Sequence, residues 1–85
     1  MADEKLIGKV THYFTNIGVA VVEITNGGLK VGDTIHVKGA TSDFEQKVDS
    51  MQIEHESVEK AKKGESVGLK TDQQAREGDE VSVVG

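Results

Sequence analysis

Eighty-five residues with a formal net charge of −5, 35% apolar side chains and ten glycines, but no cysteine and no proline, describe one small domain with a thin core. Lack of cysteine excludes disulfide frameworks and thiolate metal sites. No apolar run approaches the roughly 20 residues that span a bilayer, and fifteen acids against ten bases oppose general attraction to phosphate backbones. The expectation is a single domain over 1–85 with a polar tail at 1–5, in the cytoplasm and away from membranes.

The elements are taken in chain order. Residues 6–14 alternate, with Leu6, Gly8, Val10, His12 and Phe14 on one face and Ile7, Lys9, Thr11 and Tyr13 on the other, which is strand periodicity. Thr15-Asn16-Ile17-Gly18 supplies a turn, and the β-branched run Val19–Ile24 is the second arm of a hairpin, expected to be buried on both sides. Asn26-Gly27-Gly28 is a turn, Leu29–Val31 a short link, and Thr34–Lys38 a strand with Ile35 and Val37 inward and His36 outward. Residues 39–43 form a polar loop. Residues 44–56 form one long strand in which Val48 is out of phase with Met51 and Ile53, so a β-bulge is predicted near Asp49-Ser50. Residues 57–63 admit one helical turn capped by Ser57. Ser66–Lys70 and Glu80–Val84 complete the strands, with a polar connection over 71–77.

A phrase of glycine, acid, any residue and an aliphatic opens three of these runs: Gly32-Asp33-Thr34-Ile35, Gly64-Glu65-Ser66-Val67 and Gly78-Asp79-Glu80-Val81. Glycine enters backbone regions closed to other residues, and the acid that follows is tolerated at a wet surface turn. The uneven spacing of the copies fits no repeat period. Six or seven short strands with glycine turns predict an all-β domain, a small closed β-barrel, because closure removes exposed edges.

Chemistry is sparse. His12, His36 and His55 have no metal-ligand spacing and are expected to be solvated or, for His12, packed on an apolar face. His55-Glu56-Ser57 holds the residue types of a hydrolytic triad, but neighbours on a strand point to opposite faces. No Gly-x-x-x-x-Gly-Lys string exists, so no nucleotide cradle is implied. Lys60, Lys62 and Lys63 form the one basic cluster. It reads as a solubilising face beside the helical turn or as a candidate RNA or partner contact. No catalytic residue, metal or cofactor is expected.

The stretch Gly28-Leu29-Lys30-Val31-Gly32-Asp33-Thr34-Ile35-His36-Val37-Lys38-Gly39, then Val48–Ile53, Ala61–Leu69 and Arg76–Val81, resembles the second domain of translational GTPases such as elongation factor Tu. The resemblance implies a Greek-key barrel of the translation-factor domain 2 type, without the GTPase domain. A similar barrel is found at the carboxyl end of some collagenase-like peptidases, and the apolar Gly18–Val22 pattern is closer to those. These likenesses imply a non-enzymatic binding module docking on a protein or ribonucleoprotein partner, with tRNA or the ribosome among the candidates. The alternative is a separately encoded accessory subunit of a collagenase-like peptidase or an RNA-modifying enzyme. The sequence leaves the oligomeric state open.

Overall fold

The β-branched run beginning at Val19 sits in the middle of an antiparallel sheet, where Ala20, Val22 and Ile24 fill the core; Val19 and Val21 lie half-buried and Glu23 is exposed, so the strand is not buried on both sides as expected. In the computed structural model, which describes residues 4–40, 42–54 and 56–84, the chain forms ten strands. They are β1 (Glu4–Phe14), β2 (Val19–Ile24), β3 (Gly28–Lys30), β4 (Thr34–Lys38), β5 (Asp43–Lys47), β6 (Met51–Ile53), β7 (Glu56–Val58), β8 (Lys60–Lys62), β9 (Ser66–Lys70) and β10 (Glu80–Val84). Eight pair antiparallel in the order β5-β4-β10-β1-β2-β9-β6-β7, and β3 pairs with β8 as a separate ribbon. Ile7, Val10, Val22, Ile24, Ile35, Val37, Met51, Val67, Leu69 and Val81 are fully buried and form one core with Leu29 and Ala61 from the ribbon.

The hairpin β1–β2, the inward Ile35 and Val37, and the strands Ser66–Lys70 and Glu80–Val84 form as expected. Strand β1 differs in phase. Its register shifts between Leu6 and Gly8 against β10 and between Val10 and His12 against β2. Each shift turns the strand, so Ile7 and Val10 go inward while Leu6, His12 and Phe14 face out, against the single face that simple alternation assigns. Gly8 also permits the close approach of β2: a Cβ there would lie 2.1 Å from the Glu23 carbonyl oxygen.

The expected long strand over 44–56 is broken. Phe44 and Val48 are buried in step, but the Val48 amide donates to the Asp33 carbonyl at 2.8 Å and its carbonyl accepts from the Gly32 amide at 2.9 Å. Instead of a bulge near Asp49-Ser50, the chain changes partner there: β5 pairs with β4, and β6 with β9. The sheet consequently has two ends, β5 and β7, and no ladder joins them among the described residues, so the expected closed barrel of six or seven strands is not formed. Nor does a helical turn form at 57–63. Ser57 and Val58 lie in β7, and Lys60–Lys62 is β8, because Ala61 is drawn into the core opposite Leu29 and its lysine neighbours must then face away.

Candidate functional site

The three glycine-acid phrases share one geometry. Lys30-Val31-Gly32-Asp33, Lys62-Lys63-Gly64-Glu65 and Arg76-Glu77-Gly78-Asp79 are type II turns whose glycines have φ of 100°, 94° and 91°. In each, the amide of the acid donates to the carbonyl of the first residue, at 3.1, 3.0 and 3.1 Å. The acid then closes the turn from its side chain. The amide of Lys30 donates to Asp33 Oδ2 at 3.1 Å, that of Lys62 to Glu65 Oε1 at 2.8 Å and that of Arg76 to Asp79 Oδ2 at 2.9 Å. The acid is thus a structural acceptor and not merely a tolerated surface residue. Asp79 is buried, and a Cβ at Gly39 would collide with its carboxylate.

Two of these turns bound the β3–β8 ribbon. Its register places Gly28 opposite Lys62, Leu29 opposite Ala61, and Lys30 opposite Lys60. Because Leu29 and Ala61 point into the core, Lys30, Lys60 and Lys62 share the outer, exposed face. Gly28 gives Lys62 no side-chain neighbour across the ribbon, and a Cβ there would press within 2.9 Å of the Ala61 carbonyl. The face borders an open groove of about 690 Å³ between the three lysines, with Asp33 and Glu65 also in its lining. Since the strands are antiparallel, these acids follow opposite ends of the ribbon. Among the described residues no lysine or arginine has a carboxylate within 4.0 Å; the ion pairs found all involve histidine.

Lys60 and Lys62, named from the sequence, are therefore brought together, but on a strand and not beside a helical turn. Lys63 occupies the second position of the Gly64 turn and does not line the groove. Lys30 was missed. Its sequence signal is the basic residue two positions before glycine-acid, shared with Lys62 and with Arg76.

His36, expected to be solvated, is clamped. Its side chain is 14% exposed, with Nδ1–H donating to Glu4 Oε1 and Nε2–H to Asp43 Oδ1, each at 2.5 Å. Two acceptors require both ring nitrogens to be protonated. The hydrogen bond to Asp43, then that to Glu4, raises the imidazole above its ordinary value of 6.5 against the opposing effect of burial. The hydrogen bond from His36 lowers Asp43 below its ordinary 3.8. The carboxylates hold opposite ring nitrogens, and no convergent metal-binding group occurs among the described residues. His12 is exposed, 3.3 Å from Glu77 Oε1 and edge-on to Phe14 at 4.4 Å between ring centroids. His55, and with it the His55-Glu56-Ser57 reading, lies outside the described residues. No helix long and apolar enough to cross a membrane occurs among the described residues.

No family model matches the chain. An uncharacterized protease of Methanocaldococcus jannaschii is 47% identical over 76 residues, which make up 88% of this chain and 18% of that protein. A collagenase of Porphyromonas gingivalis is 37% identical over 76 residues, 88% of this chain and 21% of the collagenase. The chain thus spans about a fifth of the length of the curated relatives it matches. Among solved structures, the C-terminal domain of a Geobacillus thermoleovorans protein assigned to the U32 peptidases superposes with a TM-score of 0.85 at 19% identity, covering 91% of this chain and 96% of that domain. That likeness is one of fold. The collagenase-like half of the resemblance is supported; these relatives give none to the translation-factor half or to the domain 2 label.

Proposed function

We propose that this chain is a non-catalytic module of a collagenase-like peptidase system, which holds a polypeptide substrate for a catalytic portion supplied outside these residues. The observation that carries the reading is proportion. The region similar to this chain is only 18–21% of each relative, and the matching fold is that of a C-terminal domain, covered over 96% of its length. A stretch of that size is one domain, and the rest of each relative remains available for the chemistry.

The test uses denatured collagen, chosen because one relative is a collagenase. The 85-residue chain is incubated with it, and both hydrolysis and equilibrium binding are measured. The expected result is binding without cleavage. Cleavage by the chain alone, abolished by no inhibitor of a contaminating protease, would overturn the reading, as would failure to retain denatured collagen.

A further inference from the structure

We propose that the outer face of the β3–β8 ribbon captures a short acidic stretch of an extended polypeptide, with Lys30, Lys60 and Lys62 as the contacts. This deepens the substrate-holding role proposed above and rests on it for its biological setting; the geometry is the ribbon's own.

Like charges directly opposite one another across an antiparallel pair are destabilising, yet Lys30 and Lys60 are direct cross-strand partners. Asp33 and Glu65 accept from the backbone amides of Lys30 and Lys62, and no carboxylate among the described residues lies within 4.0 Å of a lysine ammonium. A concentrated positive strip is left on a chain whose net charge is −5, beside a groove whose lining includes Leu29 and Ala61. An anionic ligand would relieve the repulsion, and three features of the strip select its class. Lys60 and Lys62 are alternate residues of one strand, so their stems leave the ribbon roughly 7 Å apart, the spacing of alternate side chains in an extended peptide. Gly28, the cross-strand partner of Lys62, carries no side chain, so a ligand meets none opposite that lysine. Asp33 and Glu65 put negative charge against the two ends of the ribbon, at the amides of Lys30 and Lys62. A phosphate chain, charged at every unit, would run into those carboxylates. A peptide with about two acidic residues flanked by neutral or basic ones matches the strip from end to end.

Fluorescence anisotropy tests this with a labelled peptide carrying two glutamates at alternate positions between flanking lysines. The chain is expected to bind it about tenfold more tightly than the version with glutamines in place of the glutamates, and to lose affinity as salt rises. Lys30→Gln with Lys60→Gln should weaken binding by about tenfold, Lys30→Arg with Lys60→Arg should retain it, and Lys9→Gln, on β1, should not change it. Equal binding of the two peptides, or unchanged affinity in the glutamine pair, would overturn the proposal. Tighter, ribbon-dependent binding of an oligouridine strand would overturn it in favour of RNA. If denatured collagen is held equally well by the glutamine variant, the ribbon assignment fails and the module reading stands. If the acidic peptide binds and denatured collagen does not, the reverse holds.

Discussion

The side-chain amide of Gln46 joins β5 to the far end of β9: its Nε2–H donates to the Lys70 carbonyl at 2.9 Å, and its Oε1 accepts from the Asp72 amide at 2.8 Å. These two bonds are drawn between strands that stand five positions apart in the ladder order. One side chain thus performs, at a single point, the backbone pairing that a closed sheet would make along a whole edge.

Replacement of Gln46 by alanine should therefore loosen the sheet locally. Both bonds are near solvent, so the expected cost is about 1 kcal/mol. Hydrogen exchange should report it selectively, with faster exchange at the Asp72 amide and little change at Val67 or Val81 in the core. Uniform acceleration across the sheet, or none at Asp72, would refute the bridging role.

The His36 clamp predicts a pH-dependent contribution to stability. A folded imidazole held above 6.5 stabilises the protein fully below that value, and the contribution is lost as pH rises through the raised folded value. Asp43, held below 3.8, contributes above its ordinary value and loses the contribution as pH falls through the lowered one. The difference in melting temperature between the parent and His36→Gln should accordingly be greatest between about pH 4 and 6.5 and shrink towards pH 8. A difference that grows on the alkaline side would contradict the assignment of a charged imidazole.

Glycines of two kinds should separate on substitution by alanine. Gly32 and Gly64 have open space where a Cβ would go, so only the positive φ resists the change, and a loss of about 1–2 kcal/mol is expected. At Gly8 the new carbon would overlap the Glu23 carbonyl oxygen, which forces the β1–β2 pairing apart. The expected loss there is about 3 kcal/mol or more. Chemical denaturation of the three variants decides it; an equal cost at Gly8 and Gly64 would mean that the bulge in β1 absorbs a side chain.

The repulsion between Lys30 and Lys60 predicts a gain where most substitutions lose. Lys30→Glu should turn a like-charge pair into an opposite-charge one and stabilise the domain by about 0.5–1 kcal/mol at low ionic strength, the gain fading with salt. A stability that falls in low salt would mean that the two ammonium groups diverge enough not to interact. The same change should weaken the acidic peptide, which would mark the pair as kept for binding at some expense of stability.

Much of the sheet was legible because β-branched alternation reports directly on a face: Ile35 and Val37 went where period two sent them. The failures share a cause. At residues 44–56 the odd step from Val48 to Met51 was visible, but whether it marks a bulge or a change of partner depends on the Gly32–Asp33 turn, sixteen residues earlier and in contact only after folding. At residues 57–63 the spacing of Val58 and Ala61 fits one helical turn as well as two short strands, and only pairing of Ala61 with Leu29 decides between them. The candidate site divides the same way. Lys60 and Lys62 were visible as a cluster, whereas Lys30 joined them through cross-strand register, and the role of His36 required Glu4 and Asp43 from two other strands.

By itself, then, the sequence determined what is local: an all-β chain and the places where glycine admits a positive φ. Tertiary structure alone decided what is relational. The sheet keeps two ends because Val48 spends its backbone bonds on a turn, the His36 imidazole is raised above its ordinary value because two distant carboxylates flank it, and three lysines form one face because Leu29 and Ala61 are buried together. Local preferences act within a few residues, while register and burial are set by contacts between segments that the chain brings together only when the core forms.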